Sequence, residues 1–130
     1  MTQTVFVLPE SNETTLCVRY SGMVDAENYN THHYFGLLDR HAKQGWFNMV
    51  VYYDDNFEGW TPDGAEANFK SMCEMGSKAR KLAYVNPRER KVLLMKMLAG
   101  HLIGGEIRYF ETGEYAEAVR WANEKDVGPS

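Results

Sequence analysis

Asp54, Asp55 and Glu58 place three carboxylates in one five-residue stretch. Oxygen-rich clusters of this kind suit Mg²⁺ or a polar ligand. They follow a strand-like run, and ligands of open α/β sheets often sit beyond the carboxyl ends of strands. The sequence puts no further acid or helper lysine beside them, so a solvated loop that caps the next helix is the plainer reading. His32, His33, His41 and His101 are the imidazoles. Neighbouring side chains on a helix point about 100° apart, so His32 and His33 do not share one ion. No cysteine completes a zinc spacing, and no metal site is expected. Cys73 and His101 would make a nucleophile–base pair on paper. Cys73 falls on an apolar helical stripe, however, where burial keeps a thiol protonated and inert. The chain has no G-x-S-x-G turn, no P-loop, no G-x-G-x-x-G after a strand and no H-E-x-x-H. No catalytic residue and no cofactor are expected, and the chain reads as a non-enzyme.

The elements that would position these groups alternate regularly. Residues 4–8 read as a strand, 9–13 as a polar turn, and 14–21 as a second strand in which Leu16, Val18 and Tyr20 alternate. The short link makes this pair an antiparallel hairpin. Gly22 ends the strand. Asp25 caps a helix that runs to about Lys43, with Val24 and Tyr29 as a hydrophobic staple. Residues 47–53 are almost continuously apolar, as in a strand covered on both faces. Thr61 then caps a second helix, with Pro62 in its first turn. Ala65, Phe69, Met72, Cys73 and Gly76 share one stripe of that helix, read as core-facing. Residues 81–85 form a strand, Asn86-Pro87 opens a third helix over 88–102, and Gly104-Gly105 closes it. The last strand is 106–110. Tyr115, Ala118, Val119 and Ala122 mark a final helix, with Trp121 on its shoulder, and 126–130 is expected to fray. The order β-β-α-β-α-β-α-β-α predicts an α/β fold, a mixed five-stranded sheet with four helices, in one domain over residues 1–130.

Composition narrows the partners. A hydrophobic fraction of 44% and an aromatic fraction of 13% fit a packed globule. The formal net charge of -4 argues against nucleic acid. Lys78-Ala79-Arg80-Lys81 and Arg88-Glu89-Arg90-Lys91 read as solvated helix faces, with attraction to anions or lipid headgroups as the alternative. Cys17 and Cys73 read as reduced, buried thiols of a cytoplasmic protein. The start of the chain leads into a strand rather than a signal peptide, and no apolar run approaches the roughly 20 residues of a membrane span.

The third helix carries a surplus. Leu94, Met97, Leu98, His101 and Leu102 suffice to meet a sheet, yet Leu93 and Met95 widen the apolar arc well beyond one stripe. A neighbouring helix, a partner chain, an apolar ligand or a lipid surface must cover the excess. Methionine suits a surface that adapts to varied shapes. With Phe57 and Trp60 on the loop before the second helix, and Met75 flanking the core stripe of that helix, these residues would wall a cleft between the second and third helices. Phe57, Trp60, Met72, Leu94, Met95 and Leu98 are therefore the candidate ligand-binding residues. The expected function is a binding or carrier module for an apolar or lipid-like small molecule, with the third helix as a lid and peripheral membrane contact left open. The alternative is a protein-interaction module, through a homodimer or another protein partner.

Three segments resemble the SpoIIAA-like proteins of the STAS superfamily (sulfate transporter and anti-sigma-factor antagonist), a STAS/SEC14-type domain. They are Ser21-Gly22-Met23-Val24-Asp25-Ala26-Glu27-Asn28-Tyr29, Phe57-Glu58-Gly59-Trp60-Thr61-Pro62, and Ile107-Arg108-Tyr109-Phe110 running on through Ala118 to Trp121. The resemblance implies a STAS-like fold with helices packed on a mixed sheet. It also implies that biochemical function is poorly fixed: ligand carriage and membrane association have been proposed in the family, and no shared catalysis is established. Sporulation-type antagonists switch partners through a serine at the start of the helix after the central strand. Residues 54–61 contain no serine, and capping explains Thr61, so phospho-regulated control is not implied.

Overall fold

The computed structural model describes residues 3–31, 45–75, 78–86 and 105–124. β1 (Val5–Val7) runs antiparallel to β2 (Thr15–Tyr20), as the hairpin reading requires. β4 (Phe47–Tyr53), β6 (Ala79–Val85) and β7 (Glu106–Phe110) then add in parallel, giving the order β1-β2-β4-β6-β7. β3 (Met23–Val24) and β5 (Gly59–Trp60) form a second, two-stranded parallel sheet that the sequence did not predict. These two short strands lie in the first two of the segments that carry the family resemblance. α1 (Ala26–Thr31), α2 (Pro62–Met75) and α3 (Tyr115–Asn123) are the α-helices among the described residues. The expected third helix, and the stretch of the first helix beyond residue 31, lie outside the described residues, as do 126–130.

Alternation along the strands splits the core in two. Leu16, Val18, Tyr20, Met49, Val51, Tyr53, Leu82 and Tyr84 point to one face, which also receives Val24 and Tyr29. Cys17, Val50, Ala83 and Val85 point to the other, where Ala118, Trp121 and Ala122 of α3 cover them. β2 and β4 are thus buried on both faces, which is why they read as continuous apolar runs.

The helix starts are fixed as their residue types require. The Asn28 N–H donates to Asp25 Oδ1 at 2.8 Å, and the Gly64 N–H donates to Thr61 Oγ1 at 3.1 Å. Both are N-caps of the expected kind. Thr61 Oγ1 also donates to Asp63. Gly59 has φ of 123°, a conformation open in practice to glycine alone, where β5 begins. Asn86 has φ of 56° and ends β6; its side-chain Nδ2 donates to Tyr53 O at 2.9 Å.

Two expectations are corrected. Lys81 lies in β6, as the strand reading of 81–85 requires, but it is only 4% exposed and so is not part of a solvated basic face. Its Nζ donates to Trp121 O at 3.0 Å and Glu124 O at 2.9 Å, capping the C-terminus of α3, where a cation meets the negative end of the helix dipole. The second correction concerns α2. Among its described residues Gly64, Asn68 and Ser71 are buried, while Ala65, Phe69 and Cys73 are exposed. Of the stripe read as core-facing, Ala65, Phe69 and Cys73 point outward, Met72 is half-buried, and Gly76 lies outside the described residues. Crowding at the helix start explains part of this: a Cβ on Gly64 would come within 2.3 Å of Val24 O and 3.0 Å of Asp25 Cα. The turn of α2 that approaches β3 must therefore be the one that carries no side chain.

Gly64→Ala is expected to destabilise the fold by about 1–3 kcal/mol, through overpacking against backbone that cannot rotate away. Gly113→Ala, where an added Cβ meets nothing within 4 Å, should stay within about 0.5 kcal/mol of the parent. Urea denaturation of the two variants measures the contrast, and equal midpoints would contradict it.

Candidate functional site

On the face under α1 and α2, β2, β4, β6 and β7 each carry a tyrosine toward the carboxyl end: Tyr20, Tyr53, Tyr84 and Tyr109. The register aligns them, with Tyr20 opposite Tyr53 and Tyr84 opposite Tyr109, while Val51 rather than Tyr53 faces Tyr84. The rings form one row, with centroids 5.6 Å apart from Tyr20 to Tyr53, 6.3 Å from Tyr53 to Tyr84 and 5.7 Å from Tyr84 to Tyr109. Trp60 stands edge-on to Tyr20 at 4.8 Å and to Tyr29 at 6.1 Å, and Phe57 lies 4.8 Å from Tyr53. Offset and edge-on pairs of this kind are the favoured aromatic geometries. Tyr20, Tyr29, Tyr53 and Tyr84 are buried, and Tyr109 is 41% exposed, so the row runs from a closed end to an open one at β7.

The polar side of the site comes from the inward stripe of α2. The Tyr29 hydroxyl donates to Asn68 Oδ1 at 3.5 Å, and Asn68 Nδ2 reaches Met72 Sδ at 3.9 Å. Ser71 is 2% exposed and its Oγ has no hydrogen-bond partner. A buried hydroxyl left unpaired is uncommon and costs about 1–3 kcal/mol. Burial pushes the Tyr53 phenol well above its ordinary range, and the nearby phenols of Tyr84, Tyr29 and Tyr109 add to the shift. Burial raises Tyr84 in the same way, with Tyr109 and Tyr29 contributing, and burial also raises Tyr109. These phenols stay protonated at neutral pH. They suit hydrogen-bond donation to a ligand oxygen and stacking on a ligand, rather than proton abstraction.

Of the residues expected to bind ligand, Phe57 and Trp60 are half-buried and pack against the tyrosine core, and Met72 is half-buried beside Asn68. Leu94, Met95 and Leu98 lie outside the described residues, as do His32, His33, His41 and His101. Sequence reasoning missed the tyrosine row as a site, together with Asn68 and Ser71. The signal that could have found the row was a tyrosine at or near the end of four strands. Asp54 behaves as a loop residue. Its Oδ1 accepts from the Asn56 N–H at 2.9 Å, and its Oδ2 lies 3.5 Å from Arg19 Nε. Asp55 and Glu58 are exposed, and among the described residues no group of three or more His, Cys, Asp or Glu could hold a metal ion. Cys17 is buried as expected, and burial pushes its thiol up to about 11. Cys73 is exposed, contrary to expectation, because its face of α2 points outward.

A family model described as SpoIIAA-like matches residues 15–123. No curated protein matches the chain. A crystal structure of an uncharacterised protein of the DUF3478 family from Shewanella loihica PV-4, described as having a SpoIIAA-like fold, is similar with a TM-score of 0.67. The match covers 94% of this chain and 96% of that one at 16% identity, so what the two share is the fold. No helix among the described residues is long and apolar enough to cross a membrane.

The raised groups dictate the alkaline behaviour. An unfolded chain ionises Cys17 near pH 9.0 and the phenols near pH 10.0, while the folded chain holds those protons. The stability that these groups contribute is therefore fully present below pH 9 and is lost as pH rises through their folded values. Urea midpoints should fall steeply from about pH 9 to pH 11, and Tyr84→Phe should flatten the slope. A midpoint that does not move across that range would contradict the burial of these groups.

Proposed function

The chain belongs to the SpoIIAA-like family, and from that premise we propose that it is a non-enzymatic binding module for a small amphipathic, lipid-like molecule held between α2 and the tyrosine row. The observation that carries this reading is the inverted α2. An amphipathic helix packed on a sheet normally turns its apolar stripe inward. Here Asn68 and the unpartnered Ser71 hydroxyl face in, and Phe69 is 45% exposed. A ligand oxygen beside Ser71 would pair the one hydroxyl on this side of α2 that has no partner among the described residues. The apolar body of the ligand would lie along Met72 and the open end of the row at Tyr109. Burial of apolar area at roughly 25 cal/mol per Å² would supply most of the affinity, and the hydrogen bonds would set orientation.

A second reading is a protein-interaction module. It is favoured by the outward placement of Ala65, Phe69 and Cys73 on one side of α2. The two readings separate by where damage falls.

Native mass spectrometry of the purified protein, before and after organic extraction, should show a releasable amphiphile. The extracted protein should take up a monoacylglycerol saturably, with Trp60 fluorescence as the readout. Ser71→Ala and Tyr84→Phe should each weaken uptake by roughly two- to tenfold, the worth of one hydrogen bond of about 0.5–1.5 kcal/mol. Met72→Asp should abolish it. Absence of both a co-purifying amphiphile and saturable uptake would remove the carrier reading. Loss of a protein partner in Phe69→Asp, with uptake intact, would favour the second.

A further inference from the structure

Among the described residues, β7 is the outermost strand of the main sheet on the side away from β1. It pairs in parallel with β6 along its whole length and carries no proline and no register shift. An edge of this kind presents a row of backbone donors and acceptors to a further strand. One hydrogen bond fixes which residues present them. Phe110 O accepts from the Asn86 N–H at 2.8 Å, so Phe110 turns its carbonyl toward the β6 side. The N–H and C=O of a strand residue point the same way, and that direction alternates along the strand. Glu106, Arg108 and Phe110 therefore bond inward, and Ile107 directs its N–H and C=O away from β6.

The side chains alternate as well. Ile107 packs on the tyrosine side of the sheet. Arg108 lies on the α3 side, its guanidinium 5.6 Å from the Trp121 ring centre, and Glu106, two residues back, shares that side. Glu106 and Arg108 are both exposed. Opposite charges on either side of one apolar residue are self-complementary. When this strand runs antiparallel to its own copy about a two-fold axis at Ile107, Glu106 faces Arg108 of the partner subunit, and the pair is made twice. The backbone directions suit the same register. Ile107, at the axis, exchanges both hydrogen bonds with its counterpart, and the charged pairs fall in non-hydrogen-bonded positions, where opposed side chains are closest. Centring on Arg108 instead would set arginine against arginine.

We propose that β7 pairs with β7 of a second copy of this chain, antiparallel about Ile107, giving a two-fold dimer with one continuous sheet. The axis stands perpendicular to the sheet, so the tyrosine rows of both copies lie on the same face. The proposal does not rest on the amphiphile reading, and its failure would leave that reading untouched. A strand contact this short lies at the small end of specific interfaces, so association in the roughly 10–100 μM range is expected.

Sedimentation velocity of the full chain across that range and about fivefold beyond either end tests the proposal. The sedimentation coefficient should rise with concentration toward that of a dimer. Arg108→Glu and Glu106→Arg should each weaken self-association roughly tenfold or more, because each sets like charges opposite one another twice. An equimolar mixture of the two variants should associate again, since every cross-strand pair is then opposite in sign. That rescue, with circular dichroism of each variant, separates lost pairing from lost folding. The Ile107 amide should gain protection from hydrogen exchange as concentration rises. A chain that stays monomeric throughout would overturn the proposal. So would folded single variants that associate as well as the parent, or a mixture of them that does not associate.

Discussion

The architecture depends on a short backbone ladder between residues 22–24 and 56–61. The Gly22 N–H donates to Asn56 O at 2.9 Å, the Glu58 N–H to Gly22 O at 2.8 Å, and the Thr61 N–H to Val24 O at 2.9 Å. These bonds tie the chain leaving β2 to the chain leaving β4, just before α1 and α2 begin. Thr61 and Asp25, the two caps, are thereby set side by side. With its start fixed, α2 has little rotational freedom about its own axis, because Gly64 is pressed on the backbone of residues 24 and 25. Which side of α2 faces inward is settled at this point of contact, by sterics rather than by hydrophobicity.

That order of causes explains what could be read from the sequence. The five strands of the main sheet are visible because their signal is local. Residues 47–53 form an apolar run, Leu16, Val18 and Tyr20 alternate, and each strand closes on a turn residue. The caps at Asp25 and Thr61 are visible for the same reason. The strands of the small sheet are two residues each, too short for any period, and they exist only through pairing across the fold. The orientation of α2 was misread because its apolar and small-polar stripes are neighbours around the helix. Periodicity locates a stripe but does not say what it must face. Below α2 lies a layer of phenols, and phenols want partners, so Asn68 is better placed there than Phe69.

Lys81 illustrates the same limit on a single residue. A lysine at the end of a basic run reads as solvated by default. Its burial follows from β6 starting at Ala79 and from the carbonyls at the end of α3 lying above it. Neither fact is local to the lysine. The tyrosine row is an intermediate case. Every member is visible as a strand residue, but the row itself arises only from the register between strands.

The contact at Lys81 gives the two sides of the sheet different mechanical characters. Swinging α3 off its side would strip an ammonium of its carbonyl acceptors, leaving a bare charge over Trp121. That side behaves as a latch. On the opposite side, the contacts of α2 among the described residues are its first turn, its packing on α1 and neutral bonds such as that of Asn68 with Tyr29. Among the described residues, then, the two sides differ in kind: a buried charge fastens the helix on one, while neutral contacts and a crowded first turn seat the helix on the other.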